Sequence, residues 1–186
     1  MLHSFAKIAF TSSVKALQEE HGSREKYANF DDEVNEPVGL SIGEVEFIEA
    51  QDSFYQATVS ETGWPYVQHR GGPQGFLKVL DNKTIGFADF RGNRQYVSVG
   101  NLMSNDRIAL IMVDYANRRR LKVFGHVRLV HEADEPGLLA RLSVRGYTAK
   151  VECAFIINVE AWSWNCSQHI TPRFKVNEVK AETDHQ

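Results

Sequence analysis

The sequence predicts a mainly β (β+α) fold, an antiparallel barrel of six to seven strands with peripheral helices. Two observations predict it. About seven runs of strand character follow one another at close spacing, divided by turn residues. Between most of them the chain lacks the crossover helix that parallel strands require, which excludes a doubly wound nucleotide-binding sheet.

Length and composition agree with one ordinary domain. The 186 residues suffice to bury roughly two-thirds of the unfolded surface. An apolar content of 42% and a charged content of 24% are near globular averages. The net charge of −3 argues against a general nucleic-acid binder, whose footprint is a basic patch or stripe. No apolar run reaches membrane-spanning length, and MLHSFAKIAF lacks a signal-peptide core. Two cysteines, Cys153 and Cys166, make no disulfide framework and no paired metal spacing, so they are expected to be reduced thiols in a cytoplasmic protein.

Residues 1–40 read as an N-terminal helical extension. Thr11 or Ser12 caps a helix over Ser13–His21, and a short helix is expected over Arg24–Phe30. The main domain is expected over 41–178. Ser41 starts a helix whose Ile42, Val45, Phe47 and Ile48 form an apolar stripe. Phe54–Val59 and Trp64–His69 then flank the turn Ser60–Gly63 as a hairpin. After the break at Gly71–Gly75, strands follow over Phe76–Leu80 and Thr84–Asp89. A helix is expected from Asn93 to Ser104, then strands Arg107–Asp114 and Leu121–His131, a helix over Gly137–Val144, and a last strand over Lys150–Trp162. The closing SWNCSQHITPRFK is irregular, and 179–186 is expected to be a disordered tail.

The stretch GFADFRGNRQYVSVGNL organises the candidate chemistry. A strand ends at Asp89, the chain turns at Arg91-Gly92, and Asn93 has the chemistry of a helix N-cap. Arg94 and Gln95 would then occupy a first turn whose free N–H groups and dipole attract a phosphate or other anion. Tyr96, Val99 and Met103 would anchor the helix to the barrel. His69-Arg70-Gly71-Gly72 ends another strand in a glycine-rich loop, where backbone amides approach a ligand closely. Arginine forks suit bidentate phosphate binding. Arg118-Arg119-Arg120 is either a solvated hairpin tip or a turn that sends Arg120 into a ligand groove. In the second case Lys122 shares its face.

Other chemistries find little support. The seven histidines lie in separate elements without metal-site spacing, so no metal is expected. There is no GxSxG elbow for a serine nucleophile, and Cys166 near His169 is weak evidence for a thiol enzyme. Trp162, Trp164 and His169 cap the barrel or wall a flat conjugated ligand.

The order strand, HRGG, two strands, GNRQ, RIALIMVD and RRLKVFGHVRLV resembles the pyridoxamine 5′-phosphate oxidase-like, FMN-binding split β-barrel superfamily. It is most similar to the bacterial flavin-nucleotide-binding subgroup, in which DSFYxATVSETGWPYVQHRGG, GFADFRGNRQYxSxGNL and WNCxQHI recur. The matching region is roughly Asp52 to Arg173. The resemblance implies a homodimer with two FMN sites at the subunit interface. It implies that Gln68, His69, Arg70 and Gly71 line the flavin ring and phosphate, joined by Ala88 and Asp89. Asn93, Arg94 and Gln95 match the family's Ser-Arg-Lys, with Arg94 kept as a phosphate ligand. Arg120 replaces a flavin-ring glutamine and would stabilise negative charge on reduced flavin. Trp164, Asn165 and Gln168 match the C-terminal flavin residues. The oxidase's Arg-x-His substrate clamp has no match, which points away from pyridoxamine phosphate as substrate.

The function these readings imply is an FMN-dependent oxidoreductase exchanging hydride or electrons with a small-molecule donor or acceptor. No side chain is assigned as acid or base, and neither nucleic acid nor membrane is expected as a partner. The alternative is a non-catalytic flavin- or haem-type binding or sensing module.

Overall fold

Strand periodicity in the sequence becomes a single sheet in the structure, a computed structural model that describes residues 2–30, 39–164 and 167–175. Its strands are β1 (Ser53–Val59), β2 (Pro65–Gly71), β3 (Leu77–Asp81), β4 (Thr84–Phe90), β5 (Arg107–Asp114), β6 (Arg119–Val130) and β7 (Val151–Trp164). They pair in the order β2-β1-β5-β6-β7-β4-β3, antiparallel throughout. Mainly β architecture with peripheral helices is therefore the fold, as the turn spacing predicts.

Alternation decides which side chains form the barrel interior. Phe54 on β1, Leu110 and Met112 on β5, Leu121 and Val123 on β6, Phe155 and Ile157 on β7, and Ile85 and Phe87 on β4 are all buried. Phe54 and Phe87 meet edge to face with ring centroids 5.2 Å apart, although their strands are four places apart in the sheet. The sheet therefore curls upon itself, and aromatic contacts rather than backbone hydrogen bonds close the gap. Curling requires a bend in β6 and β7, and the register shifts at Phe124/Gly125. Only glycine fits there, because a Cβ on Gly125 would stand 2.4 Å from the Asn158 carbonyl oxygen.

Among the described residues, six helices surround this body. They are α1 (Leu2–Ala9), α2 (Ser12–Glu20), α3 (Arg24–Ala28), α4 (Ile42–Glu49), α5 (Val97–Ser104) and α6 (Leu138–Leu142). Thr11 caps α2 by accepting from the Val14 N–H at 3.4 Å. Glu44 accepts from the Ser41 N–H at 3.1 Å and so fastens the start of α4.

Three expectations need correction. Within the expected helical extension the sequence reading places no helix at Leu2–Ala9, but α1 is present there. Phe5 and Ala6 are buried, and Phe5 stacks on Phe124 of β6 at 5.0 Å. The helix expected from Asn93 begins only at Val97, for reasons given below. Among its expected anchors, Tyr96 and Met103 are exposed, while Ser98, Asn101 and Leu102 are buried and Val99 packs against the core. Residues 31–38, Asn165, Cys166 and the stretch expected to be a disordered tail lie outside the described residues.

Candidate functional site

Period-2 alternation on β2 turns Tyr66, Gln68 and Arg70 inward and leaves Val67 and His69 outside. Across the seam of the barrel, Asp89 is the last inward residue of β4. Arg70 Nη1 reaches Asp89 Oδ1 at 2.5 Å, and the guanidinium lies over Phe155 and Phe87, at 5.3 and 5.9 Å from their centroids. Arg70 Nε is buried and has no hydrogen-bond partner. Burial raises the Asp89 carboxyl above the ordinary aspartate value; Arg70 opposes this, and Glu152 adds to it. Cys153, opposite Asp89 in the ladder, is buried, and its thiol is pushed up to about 12, first by burial and then by the Asp89 charge.

Between β4 and α5 the backbone is irregular. Asn93 does not cap a helix: its Oδ1 accepts from the Gln95 N–H at 3.2 Å, closing a local Asx turn. Arg94 (φ +62°) and Tyr96 (φ +55°) then take left-handed conformations, which a helix cannot continue through. Only after Tyr96 does α5 begin. Its first turn puts Ser98 Oγ in donor contact with Gln68 Oε1 at 2.8 Å, and one turn later Asn101 donates to Thr58 at 3.0 Å. Those two contacts seat α5 on the β1–β2 hairpin.

The result is a cavity of about 280 Å³ whose walls include Gln68, Arg70, Asp89, Asn93, Arg94 and Gln95. Tyr66, Tyr96, Ser98 and Glu152 also line it and are not among the site residues the sequence predicts. Alternation with Arg70 would have found Tyr66. Glu152 depends on the β4–β7 register, which no local signal specifies. Arg94 Nε donates to the Tyr96 hydroxyl at 3.2 Å, which donates to Glu152 Oε1 at 3.2 Å. Arg91 Nε also donates to Glu152 Oε1, at 2.7 Å, and this bond holds the Glu152 carboxyl below its ordinary range. Three arginines thus face two carboxylates, and both carboxylates are already paired.

A neighbouring cavity of about 190 Å³ shares Gln68, Arg70 and Asp89 and adds His69, Gly71 and Ala88. Ala88 belongs to the cluster that buries α6, with Leu138 and Leu142. Of the remaining candidates, Arg120, Trp164 and Gln168 line neither cavity, and Asn165 lies outside the described residues. Arg120 lines a separate cavity of about 220 Å³ with His169 and Arg173, and its Nε is also buried and unpartnered. Trp164 packs on Phe47 at 4.7 Å and donates to Glu44 Oε1 at 2.8 Å, so it fastens α4. Gln168 is exposed in the C-terminal segment. Among the described residues no His, Cys, Asp and Glu group of three or more could hold a metal ion. No described helix is long and apolar enough to cross a membrane.

Comparison with known proteins matches this architecture. A candidate pyridoxamine 5′-phosphate oxidase from Lactobacillus delbrueckii superimposes with a TM-score of 0.52 at 18% identity, over 69% of this chain and 97% of that one. An FMN-binding protein from Syntrophomonas wolfei gives 0.51 at 11% identity, over 80% and 97%. At these identities the likeness speaks for the fold. No curated protein sequence gives a significant match. The family model described as pyridoxamine 5′-phosphate oxidase matches residues 44–182, three-quarters of the chain. The chain belongs to the pyridoxamine 5′-phosphate oxidase family.

Proposed function

We propose that the protein is an FMN-binding flavoprotein that acts as an oxidoreductase on a small molecule, as a homodimer with FMN at the subunit interface. The observation that carries this reading is the arginine-bearing cavity at the β2–β4 seam. Arg70 keeps a buried Nε donor with no protein acceptor, and Arg94 stands at the same cavity. Both fit a phosphate monoester, which arginine binds through charge-assisted hydrogen bonds. The first turn of α5, with Val97, Ser98 and Val99 on the cavity wall, adds backbone donors.

In this reading Arg94 and Arg70 hold the phosphate, with Asn93, Gln95 and Gln68 as polar neighbours. His69, Gly71, Ala88 and Asp89 border the adjoining space. Arg120, with Trp164, Asn165 and Gln168, belongs to the flavin-ring half assembled in the dimer. Bound FMN would supply the redox chemistry, while the chain supplies binding, orientation and electrostatics. Exposed Tyr55, Trp64 and Val67 on the β1–β2 hairpin support a covered surface, since large exposed apolar groups mark interfaces. The FMN-binding character of the Syntrophomonas wolfei protein, which shares the fold, agrees with the reading.

Titration of the protein with FMN, followed by flavin fluorescence, tests it. Arg94→Ala should weaken FMN binding roughly ten-fold or more, because a hydrogen bond to a charged group is lost. Unchanged affinity would remove Arg94 from the site.

A further inference from the structure

We infer that Tyr96 and Glu152 are positioning residues that hold the Arg94 guanidinium at the cavity, and that Tyr96 thereby sets the preference for a phosphorylated over an unphosphorylated flavin. The inference rests on the flavin reading and deepens it.

Arg94 has little else to fix it. It is exposed, and an exposed arginine ordinarily samples many rotamers, so ordering it on binding costs free energy. Here its Nε is committed to the Tyr96 hydroxyl, two residues along. That contact depends on the backbone: Arg94 and Tyr96 both sit in the left-handed region, which costs a residue with a side chain roughly 1–2 kcal/mol. Such conformations persist when surrounding contacts over-determine them, and they concentrate at functional sites. The contacts are present. Asn93 Oδ1 takes the Gln95 N–H, the Tyr96 carbonyl takes the Gly100 N–H at 2.8 Å, and the phenol donates to Glu152.

Glu152 supplies the fixed end of the chain. It sits near the start of β7, at the bulge between the Asp89–Cys153 and Phe90–Val151 pairs, so β4 rather than the loop holds its backbone. A bare carboxylate beside a phosphate would repel it. Arg91, 2.7 Å away, neutralises Glu152 and leaves it able to accept from Tyr96. The phenol hydroxyl is therefore oriented toward Glu152, with its lone pair toward Arg94 Nε. The terminal nitrogens of Arg94 stay available for an anion.

The test measures FMN and riboflavin affinities side by side, in the wild type, Tyr96→Phe and Glu152→Gln, by fluorescence quenching. Wild type should prefer FMN. Tyr96→Phe should reduce that preference about three- to ten-fold, the worth of a typical hydrogen bond, with riboflavin affinity unchanged. Glu152→Gln leaves the phenol only a weaker, neutral acceptor and should lower the preference by less than Tyr96→Phe does; an unchanged preference overturns the role of Glu152. Full retention of the preference in Tyr96→Phe, with wild type preferring FMN, overturns the positioning role alone. A wild type that binds neither flavin overturns the flavin reading and this inference with it. Equal loss of riboflavin and FMN affinity in Tyr96→Phe marks a merely structural role and also overturns it.

Discussion

Arg70 Nη1 and Asp89 Oδ1 are 2.5 Å apart on strands that share no backbone hydrogen bonds. The side chains are 15% and 8% exposed, so the pair forms a largely dry clasp across the seam of the barrel. The aspartate is nevertheless raised rather than lowered. Desolvation outweighs the attraction of Arg70, as expected for a buried ion pair.

Such a pair adds little net stability but is costly to break. Asp89→Ala would leave the Arg70 guanidinium buried without its anion, and urea unfolding should show a loss of about 3 kcal/mol. Replacing both residues with apolar ones of similar size should recover much of it. An unchanged midpoint in Asp89→Ala would mean that the clasp holds nothing.

Two aspartates should titrate in opposite directions. Asp89 is raised by burial, so its native state keeps a proton that the unfolded chain releases. Its contribution to stability is complete below the ordinary carboxylate value and is lost as pH rises through its raised native value. Asp52 is lowered, chiefly by its hydrogen bond from Lys175, which lies 2.7 Å away. Its contribution is present above the ordinary value and fades as pH falls through the native one. Carboxyl NMR titration should find Asp52 below the usual midpoint and Asp89 above it; the reverse order contradicts the placement of both.

Gly125→Ala tests the bend of the barrel. The new methyl would stand 2.4 Å from the Asn158 oxygen and 2.8 Å from Ile157 Cγ2, a clash with backbone that no rotamer relieves. A destabilisation of about 2 kcal/mol or more is expected by thermal or urea unfolding. Wild-type stability in this variant would show that the strands separate freely at the bulge.

The legible parts of the sequence were those governed by local period. RIALIMVD and TIGFADF alternate or run apolar over strand length, and both became strands. Helix α1 was not legible, because Phe5 has meaning only against Phe124, which is remote in sequence. Asn93 is ambiguous in the sequence because its side chain suits two competing local motifs. Between a helix cap and an Asx turn, the structure takes the Asx turn to Gln95. Arg70 and Arg94 were readable as arginines near glycines. Their partners Asp89 and Glu152 required the barrel to close and β7 to find its register.

The visible absorption spectrum of the purified protein tests the central claim most directly. The account predicts a yellow protein with a flavin spectrum, whose chromophore is released on denaturation and is FMN. A colourless protein that also fails to bind added FMN would contradict it.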